Sequence, residues 1–188
     1  MNQHNGTSGD DYVDHSHLIW GTEYIMSYGD DTVIGTSGDD RIYGDAGHDE
    51  LFGGDGNDNI YGSQGDDILY GGAGVNTLDG GSGDDVLYTD DGRGRFKGGT
   101  GSDTFVLGTG ATGSGPQVFD FTFDEDVIDL SEWGVTDIGD DLQIYRPTNC
   151  CGGLKGYLVI EHGDEYATIK LDTSILASDF EASDFIFA

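Results

Sequence analysis

Apolar residues recur through the first half of the chain at a fixed interval of nine: Val33, Ile42, Leu51, Ile60, Leu69, Leu78, Leu87, Phe96 and Phe105. Two positions before them stand Asp31, Asp40, Asp49, Asp58, Asp67, Asn76, Asp85, Gly94 and Asp103, seven carboxylates, one amide and one blank. Two positions earlier again, glycine occupies 29, 38, 47, 56, 65, 74, 83, 92 and 101 without a slip. A period of nine is neither a helix face nor a simple alternating strand, and it marks stacked repeats. Each repeat divides into a six-residue turn such as Gly53-Gly54-Asp55-Gly56-Asn57-Asp58 and a three-residue strand such as Asn59-Ile60-Tyr61. Glycine lets the turn take positive φ and exposes backbone carbonyls, while the central strand residue points inward. A flexible glycine-rich linker has no reason to space apolar residues so regularly.

The pattern changes at both ends. Gly9, Asp11 and Val13 repeat the motif once, but Gly9 lies 20 residues before Gly29 rather than 18, so residues 15 to 26 read as an insertion or N-terminal cap. After Gly110 the alternation in Val118–Phe123, Leu142–Tyr145, Tyr157–Ile160 and Tyr166–Leu171 predicts antiparallel strands joined by turns.

Charge sharpens this picture. Among 188 residues, Asp and Glu number 37 against 7 Lys and Arg, a formal net charge of −30, with 34 glycines and 2 prolines. Such a chain repels itself unless cations intervene, and it makes a poor partner for nucleic acid or an anionic membrane surface. No stretch is long and apolar enough for a membrane span, and the start Met1-Asn2-Gln3-His4 lacks the features of a cleaved secretory signal, so export would need another route. The adjacent Cys150 and Cys151 have no zinc spacing and no disulfide framework. His4, His15 and His17 offer a thin suggestion of a transition-metal site against the plainer reading of solvated side chains.

Residues 29 to 109 resemble the repeats-in-toxin (RTX) array of serralysin-type proteases, hemolysins and the small modules of alginate epimerases, with the Gly-Gly-x-Gly-x-Asp-x-apolar-x pattern. The resemblance implies an all-β fold: a parallel β-roll with an N-terminal cap over 1–28, the array over 29–110, and a C-terminal capping and secretion region with antiparallel strands packed on the roll over 111–188. It also implies coils of two repeats, with calcium ions held between turns 18 residues apart by carbonyls and aspartates of both turns. On one edge of the roll, Gly29 and Asp31 are expected to face Gly44, Ala46 and Asp49, and Asp45, Gly47 and Asp49 to face Gly62, Gln64 and Asp67. Further along, Ser63, Gly65 and Asp67 face Gly80, Ser82 and Asp85, and Gly81, Gly83 and Asp85 face Gly98, Thr100 and Asp103. On the other edge Thr36, Gly38 and Asp40 face Gly53, Asp55 and Asp58, a fifth good site, while Gly54, Gly56 and Asp58 face Gly71, Ala73 and the uncharged Asn76, a doubtful sixth. The Asn76 and Gly94 pair is expected to be empty. Nearby Arg93, Arg95 and Lys97 either supply a fixed cation there or mark an ordinary surface loop.

The outer faces of the two sheets should differ. One carries Ile34, Phe52, Tyr70, Tyr88 and Val106, which calls for a cover, expected from the C-terminal segment; an aromatic platform for sugar rings is the competing reading. The other, with Arg41, Tyr43, Asn59, Tyr61, Asp79 and Lys97, should face water. Asp126–Ser131 and the ending Asp184-Phe185-Ile186-Phe187-Ala188 resemble the C-terminal part of serralysin-like modules, where such an ending looks like an uncleaved signal for type I export; a last strand capping the roll is the structural alternative.

Catalysis finds no support: there is no His-Glu-x-x-His, Gly-x-Ser-x-Gly or phosphate-loop motif. The expected function is calcium binding by a secreted module that stays unfolded inside the cell and folds outside. At about 1 mM calcium and an affinity of about 10⁻⁴ M, each ion adds roughly 1.4 kcal/mol, so five add about 7 kcal/mol, the scale of a whole domain's stability. The alternative is a carbohydrate-binding or adhesive accessory module for an acidic or neutral polysaccharide.

Overall fold

The structure, a computed structural model, describes residues 2–90, 93–109, 115–122, 125–134, 143–145, 157–162, 165–170 and 184–186. The chain winds as a parallel β-roll whose strands fall alternately into two sheets. One sheet takes β1 (Asn2–Asn5), β3 (Thr22–Ile25), β5 (Arg41–Ala46), β7 (Asn59–Gln64), β9 (Asn76–Ser82), β11 (Gly94–Thr100) and β13 (Pro116–Phe119) in that order. The facing sheet takes β2 (Tyr12–Asp14), β4 (Thr32–Ile34), β6 (Glu50–Phe52), β8 (Ile68–Tyr70), β10 (Val86–Tyr88), β12 (Thr104–Val106) and β14 (Val127–Asp129). Every one of these pairs is parallel, and in the array each residue lies beside its counterpart 18 positions on, as in Leu51 beside Leu69 and Ile60 beside Leu78.

Period-two alternation within each three-residue strand sends only the middle side chain inward. Val13, Val33, Leu51, Leu69, Leu87, Phe105, Ile128 and Phe185 form one inward row, and Tyr24, Ile42, Ile60, Leu78, Phe96 and Val118 the other; none is more than 7% exposed. At about 1.5–3 kcal/mol for each such side chain, the core is thin, since one coil contributes only two. Most of the remaining residues of a coil belong to the turns, and their stability must come from polar contacts.

The pairing runs through both expected boundaries, with β3 on β5 and β11 on β13. The two extra residues before the array lie between β2 and β3. Asp14 pairs with Ile34 at an offset of 20 and Glu23 with Arg41 at 18, so the added length swells one turn while the stack stays in register on both sides.

At the far end, β15 (Gln143–Tyr145), β16 (Tyr157–His162) and β17 (Glu165–Lys170) are antiparallel to one another, as the alternation predicts. The strand over Val118 instead enters the roll in parallel, and β17 pairs with it in parallel. β18 (Phe185–Ile186) likewise adds in parallel to β14. The described C-terminal strands therefore prolong the two sheets; they do not lie across Phe52, Tyr70 and Tyr88 on the outer face where a cover was expected, while Val106 at the end of that face is buried. There, rings stack at 4.3 and 4.5 Å between centroids and shield one another. Cys150 and Cys151 and the loop 146 to 156 lie outside the described residues.

Candidate metal centre

The turns of one edge contain Asp11, Asp31, Asp49, Asp67, Asp85, Asp103 and Asp126; those of the other contain Asp40, Asp58 and Asn76. All but Asp11 are nearly inaccessible, at 0–4% exposure. Their bonding is directional. The backbone N–H of Asp31 donates to Asp49 Oδ1 (2.8 Å), Asp49 to Asp67 (2.8 Å), Asp67 to Asp85 (2.8 Å) and Asp85 to Asp103 (3.0 Å), and on the other edge Asp40 donates to Asp58 (2.7 Å). Each bond satisfies one carboxylate oxygen and ties a turn to the next coil. A second ladder runs outside it in the opposite sense, with His48 N–H donating back to Asp30, Asp66 to His48 Nδ1, Asp84 to Asp66 and Ser102 to Asp84.

The second oxygen has no such partner. Oδ2 of Asp31, Asp49, Asp58, Asp67, Asp85 and Asp103 is buried and accepts no hydrogen bond among the described residues. An unpaired buried carboxylate oxygen costs several kcal/mol, which a fold does not tolerate six times over without a ligand. Carbonyls converge on the same places. A methyl group added at Gly62 would overlap Asp67 Oδ2 and lie 2.7 Å from the Gly80 carbonyl oxygen, and one at Gly80 would overlap Asp85 Oδ2 and lie 2.7 Å from the Gly98 carbonyl. A methyl added at Gly53 would similarly lie 2.5 Å from Asp58 Oδ2 and 2.6 Å from the Gly71 carbonyl oxygen. Hard oxygen donors of two adjacent turns around a buried anion fit a calcium ion.

Burial raises these carboxyls: Asp58, Asp67 and Asp85 to about 7, Asp49 and Asp103 to about 6, with like-charged aspartates on neighbouring coils adding to the desolvation. The protein without ions thus resists holding its turn carboxylates charged.

The first edge brings its expected aspartates together, while the carbonyls of Ala46, Gln64, Ser82 and Thr100, expected as ligands, each accept a backbone N–H, from Gly29, Gly47, Gly65 and Gly83. The second edge differs in one detail: Asp40 Oδ2 is already taken, by the Thr36 N–H (2.6 Å) and hydroxyl (2.9 Å). Asn76 donates its Nδ2 to the Gly72 carbonyl (3.1 Å), which occupies that side chain as well. Of the basic residues by Gly94, Lys97 bonds Asp79 at 2.9 Å, the Arg95 guanidinium lies 4.6 Å over the Phe119 ring, and the Arg93 carbonyl accepts the Asn76 N–H (3.2 Å). Two members of the first-edge row were not assigned to it from the sequence, although Gly9, Asp11 and Val13 carry the motif. Asp11 N–H donates to Asp31 Oδ1 (2.7 Å) and Asp103 N–H to Asp126 Oδ1 (3.0 Å), at spacings of 20 and 23 rather than 18. The signal was present as Asp after a turn and before an apolar strand residue, Val13 or Ile128, but the irregular spacing hid it. The three histidines gather loosely, His15 Nδ1 meeting the Tyr24 hydroxyl at 3.2 Å, and among the described residues no three His, Cys, Asp or Glu side chains converge as a metal site.

The family model of the RTX calcium-binding nonapeptide repeat (4 copies) matches residues 27–60, 52–87 and 61–96. Residues 27–96 carry nonapeptide repeats of the RTX calcium-binding type. No curated protein matches the chain in sequence. Among solved structures it is similar to the AlgE6R2 subunit of the Azotobacter vinelandii mannuronan C5-epimerase, at 20% identity and a TM-score of 0.50 over 81% of this chain and 89% of that one. The AlgE6R3 subunit of the same epimerase matches at 18% identity and a TM-score of 0.34, over 97% and 81%. The extracellular lipase LipA of Serratia marcescens matches at 14% identity and a TM-score of 0.35, over 100% of this chain and 40% of the lipase. The likeness to AlgE6R2 is one of fold.

Proposed function

We propose that this chain is a secreted calcium-dependent folding module without catalytic activity, exported unfolded by type I machinery and compacted outside the cell when ions enter its turns. The array over 29–110 binds the ions, and the flanks 1–28 and 111–188 terminate it. The observation that carries this reading is the set of six buried carboxylate oxygens without a partner. Six buried carboxylate oxygens that favour neutralisation or a cation make the roll costly at low calcium and stable at high calcium. The ligands are the aspartates and turn carbonyls set out above, and the expected occupancy is about five or six ions. Once bound, the ions supply positive charge that offsets the repulsion of the stacked turns. Circular dichroism of the purified chain tests this: a β-rich spectrum at millimolar calcium should be lost in excess chelator and return on recalcification. A spectrum unchanged by chelator overturns the proposal.

A second reading, recognition of a polysaccharide, draws on one observation. In the insertion between β2 and β3, Trp20 is 65% exposed beside Ile19 at 64%. The stacked rings of Phe52, Tyr70 and Tyr88 turn their faces on one another, which leaves Trp20, together with Tyr12 (69% exposed) and Tyr28 (66%), as exposed aromatics for sugar stacking among the described residues. Alginate titration followed by tryptophan fluorescence, compared with Trp20→Ala, decides it. No response in the wild-type chain removes this reading.

A further inference from the structure

Three turns close their own carboxylate. Thr7 donates its N–H to Asp11 Oδ2 (2.6 Å), Thr36 to Asp40 (2.6 Å) and Thr122 to Asp126 (2.6 Å). In the first two the threonine hydroxyl also reaches the same oxygen, at 3.0 and 2.9 Å. None of these three aspartates is among the six with an orphaned Oδ2.

The difference lies in the second residue of the turn. In the six turns that end in an orphaned aspartate this residue has positive φ: Ser27 (86°), Asp45 (72°), Gly54 (101°), Ser63 (90°), Gly81 (118°) and Gly99 (116°). Thr7 and Thr36 have no positive φ. The left-handed region is closed to β-branched side chains by contact with the backbone, so threonine holds the turn in the other conformation. That conformation aims its N–H at the carboxylate and fills the place an ion would serve. Residues 6–11 and 35–40 share the hexapeptide Gly-Thr-Ser-Gly-Asp-Asp, and residues 80–85 read Gly-Gly-Ser-Gly-Asp-Asp. One residue separates a closed turn from an open one.

We infer that the second turn residue decides which turns take an ion, and that Thr7, Thr36 and Thr122 stand in for calcium where the stack begins or ends. The Thr7 turn opens the first edge, the Thr36 turn is the first regular one on the second edge, and the Thr122 turn closes the first edge. The run of ions is thus bounded by turns that the chain satisfies alone. This inference rests on the calcium reading and reassigns one of its positions: the gap after Asp40 is closed, and the gap after Asp58, next to Asn76, is open.

The test is a count of bound ions per chain by equilibrium dialysis in saturating calcium, with circular dichroism in parallel. Thr36→Gly should bind one ion more than wild type. Thr36→Val, which keeps the β-branch and the donating N–H while losing the hydroxyl, should bind the wild-type number. Thr7→Gly, in the identical hexapeptide, provides a second variant and should also gain one. If both glycine variants reach the wild-type spectrum without an added ion, the inference is overturned. Failure of both to reach that spectrum in saturating calcium overturns it equally, because an ion in the opened turn should replace the lost bonds. Should the wild-type chain itself bind no calcium, the calcium reading fails first, and the count shows this before any variant is made.

Discussion

The two edges of the roll are built from the same nine-residue repeat and bond differently. On the first edge an unbroken file of aspartates runs from Asp11 to Asp126, and five of its members have a buried oxygen that accepts no hydrogen bond among the described residues. The second edge begins in an irregular connection, passes through the closed Thr36 turn, retains one orphan at Asp58, and ends at Asn76, whose amide is tied to its own turn. Equal sheets therefore meet unequal edges. The apolar rows supply the same increment on either side, and dependence on ions concentrates on one. A repeat protein can vary its ligand demand turn by turn without disturbing its core, because the core residue and the turn residue sit at different positions of the period.

The comparison breaks most sharply in the middle of the first edge. Asp67→Ala removes an anion between two gaps, and on the mass-action scale of about 1.4 kcal/mol for each ion it should cost about 3 kcal/mol and raise the calcium midpoint of folding several-fold. Asp40→Ala should leave that midpoint far closer to wild type, since its oxygen is already satisfied. Equal shifts in a calcium titration followed by circular dichroism would erase the distinction between edges. Next in size, Gly62→Ala places a methyl against Asp67 Oδ2 and the Gly80 carbonyl, whereas Gly71→Ala meets Asn76 Nδ2 at a milder 2.9 Å. Destabilisation of about 1–3 kcal/mol is expected for the first and less for the second, read from chemical denaturation in calcium.

Protons should substitute for ions in part. Burial raises the Asp67 and Asp85 carboxyls to about 7 from an ordinary 3.8. A raised folded value means the roll binds protons more tightly than the unfolded chain, so this stabilisation is complete below about pH 4 and lost as pH rises through 7. In chelator, acidification from pH 8 toward 4 should restore β-structure, while calcium affinity should weaken as pH falls below about 7, because ion and proton compete. A chelated chain equally unfolded at both ends of that range contradicts the burial described here. Smaller still is Asn76→Asp, which should tighten calcium binding on the second edge in the ion count. Smallest is Lys97→Met: its exposed pair with Asp79 should be worth no more than about 1 kcal/mol, read from the denaturation midpoint.

Much of the site was legible beforehand because the repeat is local. A turn of six and a strand of three place Asp49 or Leu51 correctly from spacing alone, and every coil copies the one before. Thr36 misled for a physical reason. Composition marks it as one more turn residue with a usable carbonyl, and only its backbone conformation reveals that its N–H already holds Asp40. Asp11, though recognised as part of a motif copy, and Asp126 were not assigned to the row because each is separated from its neighbour by a coil of irregular length.

The sequence by itself determined the period, the inward row and the file of carboxylates, because each follows from a residue's position within nine. Which carboxylates still lack a partner, where the two added residues before the array are absorbed, and how β17 and β18 join the sheets in parallel were decided by the tertiary structure. Those outcomes depend on contacts between residues 18 or more apart and on the φ of single turn residues, and neither is written in a repeat read one unit at a time.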